Sequence, residues 1–258
     1  MQSFIVSLIA FIFSTTISIA SPISCAVNLP LGIPTVKENV KLICKTAFIT
    51  AYDYSAKIPS WVAYNVSHDH AVGCAVRSHT FYVERGVPAS VRAHTKDYRK
   101  SGYDTGHLAD AASMSYDPQV SVESFTLSNT APQNPGMNRG IWSNLELHVR
   151  SWAFNGRSLT VYTGGIYNNL SKKIGSGVVV PDKFFKIVID NTTNQSLAFI
   201  IDNNSQSDRS LSTSQTSIAE VERQSGLVFP VSGDKTLIRV MWESDANELH
   251  RAKQDKCN

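Results

Sequence analysis

The sequence predicts an α+β fold, because strand-like segments stand on both sides of one clear helix. At 258 residues, with 42% hydrophobic and 17% charged residues, the chain suits one globular domain of ordinary size. Runs rich in β-branched and aromatic residues predict the strands. These runs cover residues 48–54, 61–66, 159–163, 184–189, 197–201 and 237–242.

The first twenty residues predict a targeting segment. A compact apolar run over residues 4–13 is followed by Ser18-Ile19-Ala20, a small-x-small cleavage pattern. We interpret residues 1–20 as a signal peptide, which predicts a secreted or periplasmic protein. A short membrane anchor is the alternative, but the apolar run is brief for a membrane span, so we expect no stable membrane association. Residues 21–258 then form the single domain.

The four cysteines are Cys25, Cys44, Cys74 and Cys257. An even number in an exported protein favours two disulfides, and four cysteines allow three connectivities. A metal site is the weaker interpretation, because no pair of these cysteines has the C-x-x-C spacing.

The clearest helix covers residues 138–154, where apolar residues recur on one face at about 100° per residue. Glu146 and Arg150 flank this apolar stripe, so both can face a cleft from a rigid backbone. A second helix is predicted over residues 217–224 and ends at Gly226. The Ser/Asn-rich residues 203–214 predict a loop.

Three polar side chains in the central segment have the chemistry of a metal-assisted hydrolase. The His107 imidazole can take a proton from water, and the Asn138 and Glu146 oxygens can hold a hard cation with its water shell. Each residue also has a purely structural interpretation. A histidine after a glycine is commonly a loop or core residue, asparagine is a favoured helix N-cap, and Glu146 could be an exposed helix carboxylate.

The sequence around these residues reads DTGH at 104–107, SNTAPQ at 128–133 and NRGIWSNLE at 138–146. In order and spacing these segments resemble the DNA/RNA non-specific endonucleases, the family of secreted bacterial nucleases and mitochondrial endonuclease G. The family signature is Asp-Arg-Gly-His, then Ser-Asn-x-x-Pro-Gln, then Asn-x-x-x-Trp-x-x-Leu-Glu. With weaker similar phrases outside the block, the resemblance spans about residues 47–243.

The resemblance implies a ββα-metal nuclease fold, with a central antiparallel sheet and flanking helices. It implies a Mg²⁺-dependent, sugar-nonspecific endonuclease that hydrolyses DNA and RNA to 5′-phosphate products. His107 would be the general base, Asn138 the single direct protein ligand of Mg²⁺, with Mn²⁺ as an alternative ion, and Glu146 a ligand through water.

Further residues complete the expected site. Arg77, Arg139 and Arg150 are candidates for phosphate contact, since guanidinium pairs bidentately with phosphate oxygens. The resemblance includes Arg77 and Arg150 among the catalytic residues. It adds Asn129, which matches a family position near the catalytic histidine with a hydrogen-bonding role; a turn residue is the alternative.

Two positions depart from the family pattern. Thr105 stands where the family has an arginine near the scissile phosphate, and Asp110 stands where it often has proline. Threonine supplies no charge, so two other functions stay open: a nucleic-acid-binding pseudo-nuclease, and a metal-dependent phosphodiesterase of small substrates. The net charge of +3 suits a polyanionic substrate without requiring one. The oligomeric state, a homodimer included, is left open.

Overall fold

A computed structural model of the protein describes residue 25 and residues 29–168, 171–205 and 210–258. The predicted signal peptide, residues 1–20, lies outside the described residues. In the described part of the chain, no helix is both long and apolar enough to cross a membrane.

The centre of the fold is an antiparallel sheet, as predicted. The strands in chain order are β1 (Val40–Cys44), β2 (Phe48–Asp53), β3 (Ile58–Val66), β4 (Asp104–His107), β5 (Thr130–Gln133), β6 (Leu159–Ile166), β7 (Lys173–Ile174), β8 (Val178–Val179), β9 (Lys183–Asp190), β10 (Ser196–Asp202) and β11 (Gln215–Thr216). Among the described residues, seven of them form the main sheet in the order β1-β2-β3-β6-β9-β10-β11, while β4 pairs with β5 and β7 with β8.

The helices are short apart from two of twelve residues each. They are α1 (His68–Ala71), α2 (Thr95–Tyr98), α3 (Pro118–Glu123), α4 (Pro135–Met137), α5 (Ser143–Phe154), α6 (Leu211–Ser214), α7 (Ile218–Ser225) and α8 (Ala246–Cys257). A π-helical turn, Asn138–Trp142, joins α4 to α5.

Both faces of the main sheet are covered, which explains why its strands are apolar along their whole length. On one face, Val62, Tyr64 and Phe184 pack with the apolar stripe of α5. On the other face, Trp61 and Phe185 pack with the buried side of α7. Because the apolar stripe of α5 packs on the sheet, the opposite side of this helix faces away from the sheet.

Strands β4 and β5 and helix α5 form the expected ββα unit. The two strands pair antiparallel, with His107 opposite Thr130. His107 is the last residue of β4, and Asn138 lies in the π turn that leads into α5. The predicted fold class, including the strand end and the following helix that carry the two residues, is confirmed.

Some predicted elements are wrong. Residues 237–242 form no strand. Leu237, Ile238 and Val240 are exposed, and a strand needs both a neighbouring strand and a buried face. The predicted loop 203–214 contains the short helix α6. Helix α8 was not predicted, because Leu249 is its one fully buried residue and the apolar pattern is too weak to recognise.

Two disulfides confirm the cysteine prediction and choose among the three connectivities. Cys25 pairs with Cys44, and Cys74 pairs with Cys257, with Cα–Cα separations of 5.3 and 5.4 Å. The second disulfide joins helix α8 to the loop before Arg77, across 183 residues of sequence.

Candidate active site

An open cleft of about 530 Å³ lies where β4, the π turn and α5 meet. Most of the predicted site residues line it: Arg77, His107, Asn138, Arg139, Glu146 and Arg150. Phe81, Asp104, Thr105, Asp110, Ala111, Ala112 and Ser143 complete its lining. The fold therefore gathers residues from 77 to 150 into one place, whereas Asn129 is not among the lining residues.

His107 is positioned by tight pairing between β4 and β5. A Cβ atom on Gly106 would lie 1.9 Å from Oε1 of Gln133, so glycine is the residue that fits here beside the present Gln133 side chain. The His107 ring packs against Phe81 and Phe125, with ring centroids 5.0 and 4.7 Å away. Its Nε2 is buried without a hydrogen-bond partner among the described residues.

The surroundings of His107 favour its neutral form. Burial, and then the positive charge of the nearby Arg77 guanidinium, lower the pKa of the imidazole from 6.5 to about 3, while the Asp110 carboxylate opposes the shift. At neutral pH the ring is therefore uncharged and able to accept a proton. That is the protonation state required of a general base.

Asn129 holds the chain that follows His107. Its side chain is fully buried, Oδ1 accepts a hydrogen bond from the Ala109 amide at 2.8 Å, and Nδ2 donates to the Ala109 carbonyl at 3.0 Å. Nδ2 also donates to the Ser124 carbonyl at 2.8 Å. These contacts fix the segment that follows His107, behind the cleft.

Asn138 begins the π turn, and a hydrogen bond to Asp104 holds its side chain. Nδ2 donates to Oδ2 of Asp104 at 2.9 Å, which leaves Oδ1 as the free acceptor of the amide. Helix capping is done by Asn134, whose side chain accepts a hydrogen bond from the Gly136 amide at 2.9 Å. The predicted alternative of a simple N-cap at residue 138 therefore does not describe its side chain.

The predicted continuous helix over residues 138–154 is interrupted at its start. Gly140 has φ −103° and ψ −109°, outside helical geometry, and the regular helix begins at Ser143. π turns of this kind are frequent at functional sites. Asn138 and Arg139 therefore lie before the regular helix, and both line the cleft.

Asp104 is a site residue that the sequence analysis did not select. Its two carboxylate oxygens accept hydrogen bonds from Nε and Nη2 of Arg139 at 2.9 and 2.7 Å, in addition to the bond from Asn138. Hydrogen bonding to Asp104 raises the pKa of Arg139, whose side chain is 73% exposed. One carboxylate thus orients both the amide and the guanidinium, and its place at the head of the DTGH segment was the available signal.

A buried group of charges supports the cleft beneath Glu146. Arg150 forms an ion pair with Asp110. Burial alone would raise the pKa of Asp110, but Arg150 and hydrogen bonds from Ala112 and Ser113 lower it to about 2. Burial and the Asp110 carboxylate raise the pKa of Glu146 above its ordinary value, against the opposing charges nearby. The Arg150 guanidinium therefore pairs with Asp110 and also lines the cleft.

Lys186 belongs to the same group and was also missed. It is fully buried on β9, its Nζ lies 4.4 Å from the centroid of the Trp142 ring, and burial lowers its pKa. The Lys186 charge opposes the rise in the pKa of Glu146. A lysine inside the apolar strand sequence FFKIV was the signal, because lysine is rarely buried without a function or a partner.

The donor set of the cleft fits a hard cation. Asn138 supplies a free amide oxygen and Glu146 a carboxylate, and oxygen donors are what Mg²⁺ prefers. Within the described ranges, no cluster of three or more His, Cys, Asp or Glu residues could hold a metal. A cation held by Asn138 and Glu146 alone would keep most of its water.

Comparison with known proteins identifies the family of the chain. The sequence profile of the DNA/RNA non-specific endonucleases matches residues 30–235. The mitochondrial nuclease EXOG of Mus musculus is 29% identical over 198 residues, which cover 69% of this chain and 54% of that protein. The mitochondrial endonuclease G of Bos taurus is 29% identical over 214 residues, covering 77% and 71%. The chain thus spans about half the length of the EXOG relative.

A solved structure agrees with the sequence comparison. The crystal structure of the EndoG/EndoGI complex, described as showing the mechanism of EndoG inhibition, superposes with a TM-score of 0.72 at 26% identity. The match covers 81% of this chain and 91% of the other.

These relatives overturn the predicted location. EXOG and endonuclease G are both named as mitochondrial, so the prediction of a secreted or periplasmic protein is contradicted. The prediction rested on an apolar run with a small-residue motif, and the run lacks the basic residues that normally precede such a segment.

Proposed function

The chain belongs to the DNA/RNA non-specific endonuclease family, and on that basis we propose that it is a metal-dependent endonuclease that hydrolyses phosphodiester bonds in both DNA and RNA. The observation that carries the proposal is that His107, Asn138 and Glu146 line one cleft together with three arginines. We assign the activity to a single domain with its core at about residues 47–243.

His107 is the general base of this proposal. Its neutral imidazole takes a proton from a water molecule while the water oxygen forms a bond to phosphorus. The bond from phosphorus to the 3′ oxygen breaks, and the departing 3′ oxygen takes a proton from a water molecule to become a hydroxyl. The other fragment keeps a 5′-phosphate. At neutral pH the imidazole is in its proton-accepting form, but a pKa of about 3 makes it a weak base. A bound phosphate would bring negative charge to the ring and raise this pKa towards the range where a general base works best.

Asn138 and Glu146 are the residues that would hold the cation, Asn138 directly through Oδ1 and Glu146 through water. Mg²⁺ is the ion we propose, with Mn²⁺ as a substitute. When bound, the cation supplies positive charge to the phosphate and to the departing 3′ oxygen. Asp104 keeps the Asn138 oxygen directed away from its own carboxylate by accepting the amide N–H.

The arginines divide into two groups by exposure. Arg77 and Arg139 are exposed at the cleft and are the proposed contacts to substrate phosphates. Arg150 is paired with buried Asp110. We propose that it adds positive potential to the cleft and that its charge opposes the rise in the pKa of Glu146. Contacts to phosphate carry no direct sequence information, which agrees with cleavage of DNA and RNA without strong sequence preference.

The absence of an arginine at position 105 keeps two other functions in contention. A pseudo-nuclease would bind nucleic acid and not cut it. A phosphodiesterase would cut small diesters and leave polymers intact. The exposed guanidinium of Arg139, fixed on Asp104 in the same cleft, favours the nuclease because it supplies charge where Thr105 does not.

Purified protein incubated with plasmid, with RNA and with bis(p-nitrophenyl) phosphate separates these functions. A nuclease degrades both polymers at millimolar Mg²⁺ and stops in EDTA. Polymer binding that survives EDTA, without cleavage at any Mg²⁺ or Mn²⁺ concentration, identifies a pseudo-nuclease. Cleavage of the small diester alone identifies a phosphodiesterase.

A further inference from the structure

A second cavity continues the active-site cleft beyond Thr105. Its volume is also about 530 Å³, and it shares Phe81, Asp104 and Thr105 with the cleft that holds His107. Its other lining residues come from the loop before Phe81 and from the segment around α2: His79, Thr80, Thr95, Tyr98, Arg99 and Tyr103. Because the two cavities share a wall, a polymer lying in the first can extend into the second.

The charge of the second cavity suits an anionic ligand. Arg99 and His79 are both exposed there. Asp104 is the acidic residue of the described lining, and its carboxylate already accepts hydrogen bonds from Asn138 and Arg139. Lys172 lies outside the lining; its exposed side chain holds Nζ 5.0 Å from the centroid of the Tyr103 ring, so it must move aside for a base to stack on that face.

The cavity also offers aromatic surface. Tyr103 is half-buried and lines it, and Phe81 forms part of the boundary with the catalytic cleft, its ring centroid 5.0 Å from that of His107. Aromatic rings beside a basic groove are the means by which proteins hold single-stranded nucleic acid without reading its sequence, because every base has a π-face.

The segment that carries Arg99 and Tyr103 is fixed by its own hydrogen bonds. The Ser101 amide donates to the Tyr98 carbonyl at 3.2 Å, and Ser101 Oγ accepts from the Tyr103 amide at 3.1 Å. Gly102, at φ 84°, makes the turn between them possible. The backbone that carries these two side chains therefore needs little ordering when a ligand arrives, which lowers the cost of binding.

We propose that the second cavity binds the nucleotide next to the scissile phosphate, with Arg99 contacting its phosphate and Tyr103 stacking on its base. The ligand is one nucleotide unit of a single DNA or RNA strand whose scissile phosphate lies beside His107. This subsite rests on the proposed nuclease function, and it gives the substrate strand a direction away from the catalytic cleft past Thr105.

The phosphate contact is tested by binding without cleavage. The probe is a fluorescein-labelled single-stranded octanucleotide, titrated in EDTA and followed by fluorescence anisotropy for the wild type, Arg99→Gln and Arg85→Gln. Arg85 is an exposed arginine that lines neither cavity, so it is the matched control. We expect Arg99→Gln to raise Kd about tenfold, as loss of a charged hydrogen bond does. The slope of log Kd against log salt should fall by about 0.7, and Arg85→Gln should change neither quantity.

The stacking contact is tested with Tyr103→Leu and Tyr103→Phe. Leucine keeps an apolar side chain against the core and removes the ring, so we expect Kd to rise about tenfold, while Tyr103→Phe binds like the wild type. A series of octanucleotides, each with one abasic site at a different position, then identifies the base that stacks on Tyr103. At one position the abasic strand should bind wild type and Tyr103→Leu equally, because the stacking base is missing. Melting curves check that each variant is folded.

The results separate this proposal from the nuclease function. Wild-type affinity in both Arg99→Gln and Tyr103→Leu would overturn the subsite, as would a Tyr103→Leu deficit that persists at every abasic position. A wild type that fails to bind the octanucleotide would also overturn it. A wild type that binds in this pattern and cuts neither plasmid nor RNA would overturn the nuclease function and leave the subsite standing.

Discussion

His107 is the side chain on which the proposed chemistry depends most. General-base catalysis contributes roughly 10²–10⁴-fold to a rate, so His107→Ala should lower kcat by at least that range while the protein stays folded. Turnover of plasmid or RNA, measured beside a melting curve, checks the prediction. A folded His107→Ala protein with near wild-type turnover would show that another group accepts the proton.

The pKa of His107 gives a second prediction. Burial and Arg77 lower it to about 3, whereas in the unfolded chain an imidazole titrates near pH ~6.5. Between these values the unfolded state binds the proton and the folded state does not, so this histidine reduces stability progressively as pH falls from about 6.5 towards 3. His107→Gln should therefore lose less melting temperature than the wild type between pH 7 and pH 5.

The NMR titration of His107 measures the same property directly. Its imidazole signal, identified by its loss in His107→Gln, should not shift between pH 7 and pH 5. A signal that moves with a midpoint near 6.5 would mean that Arg77 and burial do not act on the ring as described.

Asn138 tests the assignment of the cation. With one direct protein ligand, the site has no second ligand to replace it, so Asn138→Ala should abolish activity or sharply raise the Mg²⁺ concentration needed. A helix-cap role alone would cost about 1 kcal/mol of stability and leave the metal dependence unchanged. Activity against Mg²⁺ concentration, measured beside a melting curve, distinguishes the two roles. Asn134→Ala is the matched control, because Asn134 provides the cap and lies outside the cleft lining.

Thr105 and Asp110 both line the cleft and depart from the family pattern, and Thr105 is the one that replaces a charged residue. Thr105→Arg should speed cleavage or tighten substrate binding, and the gain should shrink as salt rises, because an added phosphate contact steepens the salt dependence. Thr105→Gln, which adds length without charge, is the control. A folded Thr105→Arg with no gain would indicate that Arg139 or Arg77 already supplies this charge.

At the level of elements, the β4–β5 pair positions His107, the proposed general base, and Asn129 fixes the segment that leaves β4. Asn129→Ala removes three hydrogen bonds and leaves the Ala109 amide and carbonyl without that partner. We expect a loss of about 1–3 kcal/mol for each buried group left unsatisfied. If Asn129 acts by positioning, kcat should fall while KM stays near its wild-type value. An unchanged kcat in the destabilised variant would restrict Asn129 to a structural role.

Elements with strong patterns could be predicted from the sequence. The strands around residues 48–66 and 159–201 are aromatic and β-branched because the sheet is covered on both faces, and the α5 stripe shows clear helical spacing. Residues 237–242 have the same composition and form no strand, since composition does not reveal whether a neighbouring strand is available. Helix α8 has too few buried residues to produce a pattern.

The site was predictable where motifs carry it and not where the fold brings distant residues together. His107, Asn138 and Glu146 each lie in a segment whose motif identifies them, and they share the cleft. The buried charges beneath them join Asp110 to Arg150 and place Lys186 under Trp142, contacts that span 40 residues or more. No local pattern encodes such pairs, so the positions of these side chains required the structure.

For the whole molecule, the central claim is that this cleft hydrolyses phosphodiester bonds with His107 as base. The most direct measurement compares wild type and His107→Ala on closed circular plasmid and on RNA at millimolar Mg²⁺, followed by labelling of the 5′ ends. We predict that the wild type degrades both polymers, that its product ends label only after phosphatase treatment because they carry 5′-phosphates, and that folded His107→Ala does neither. Plasmid and RNA left intact by the wild type, or product ends that label without phosphatase, would contradict the account.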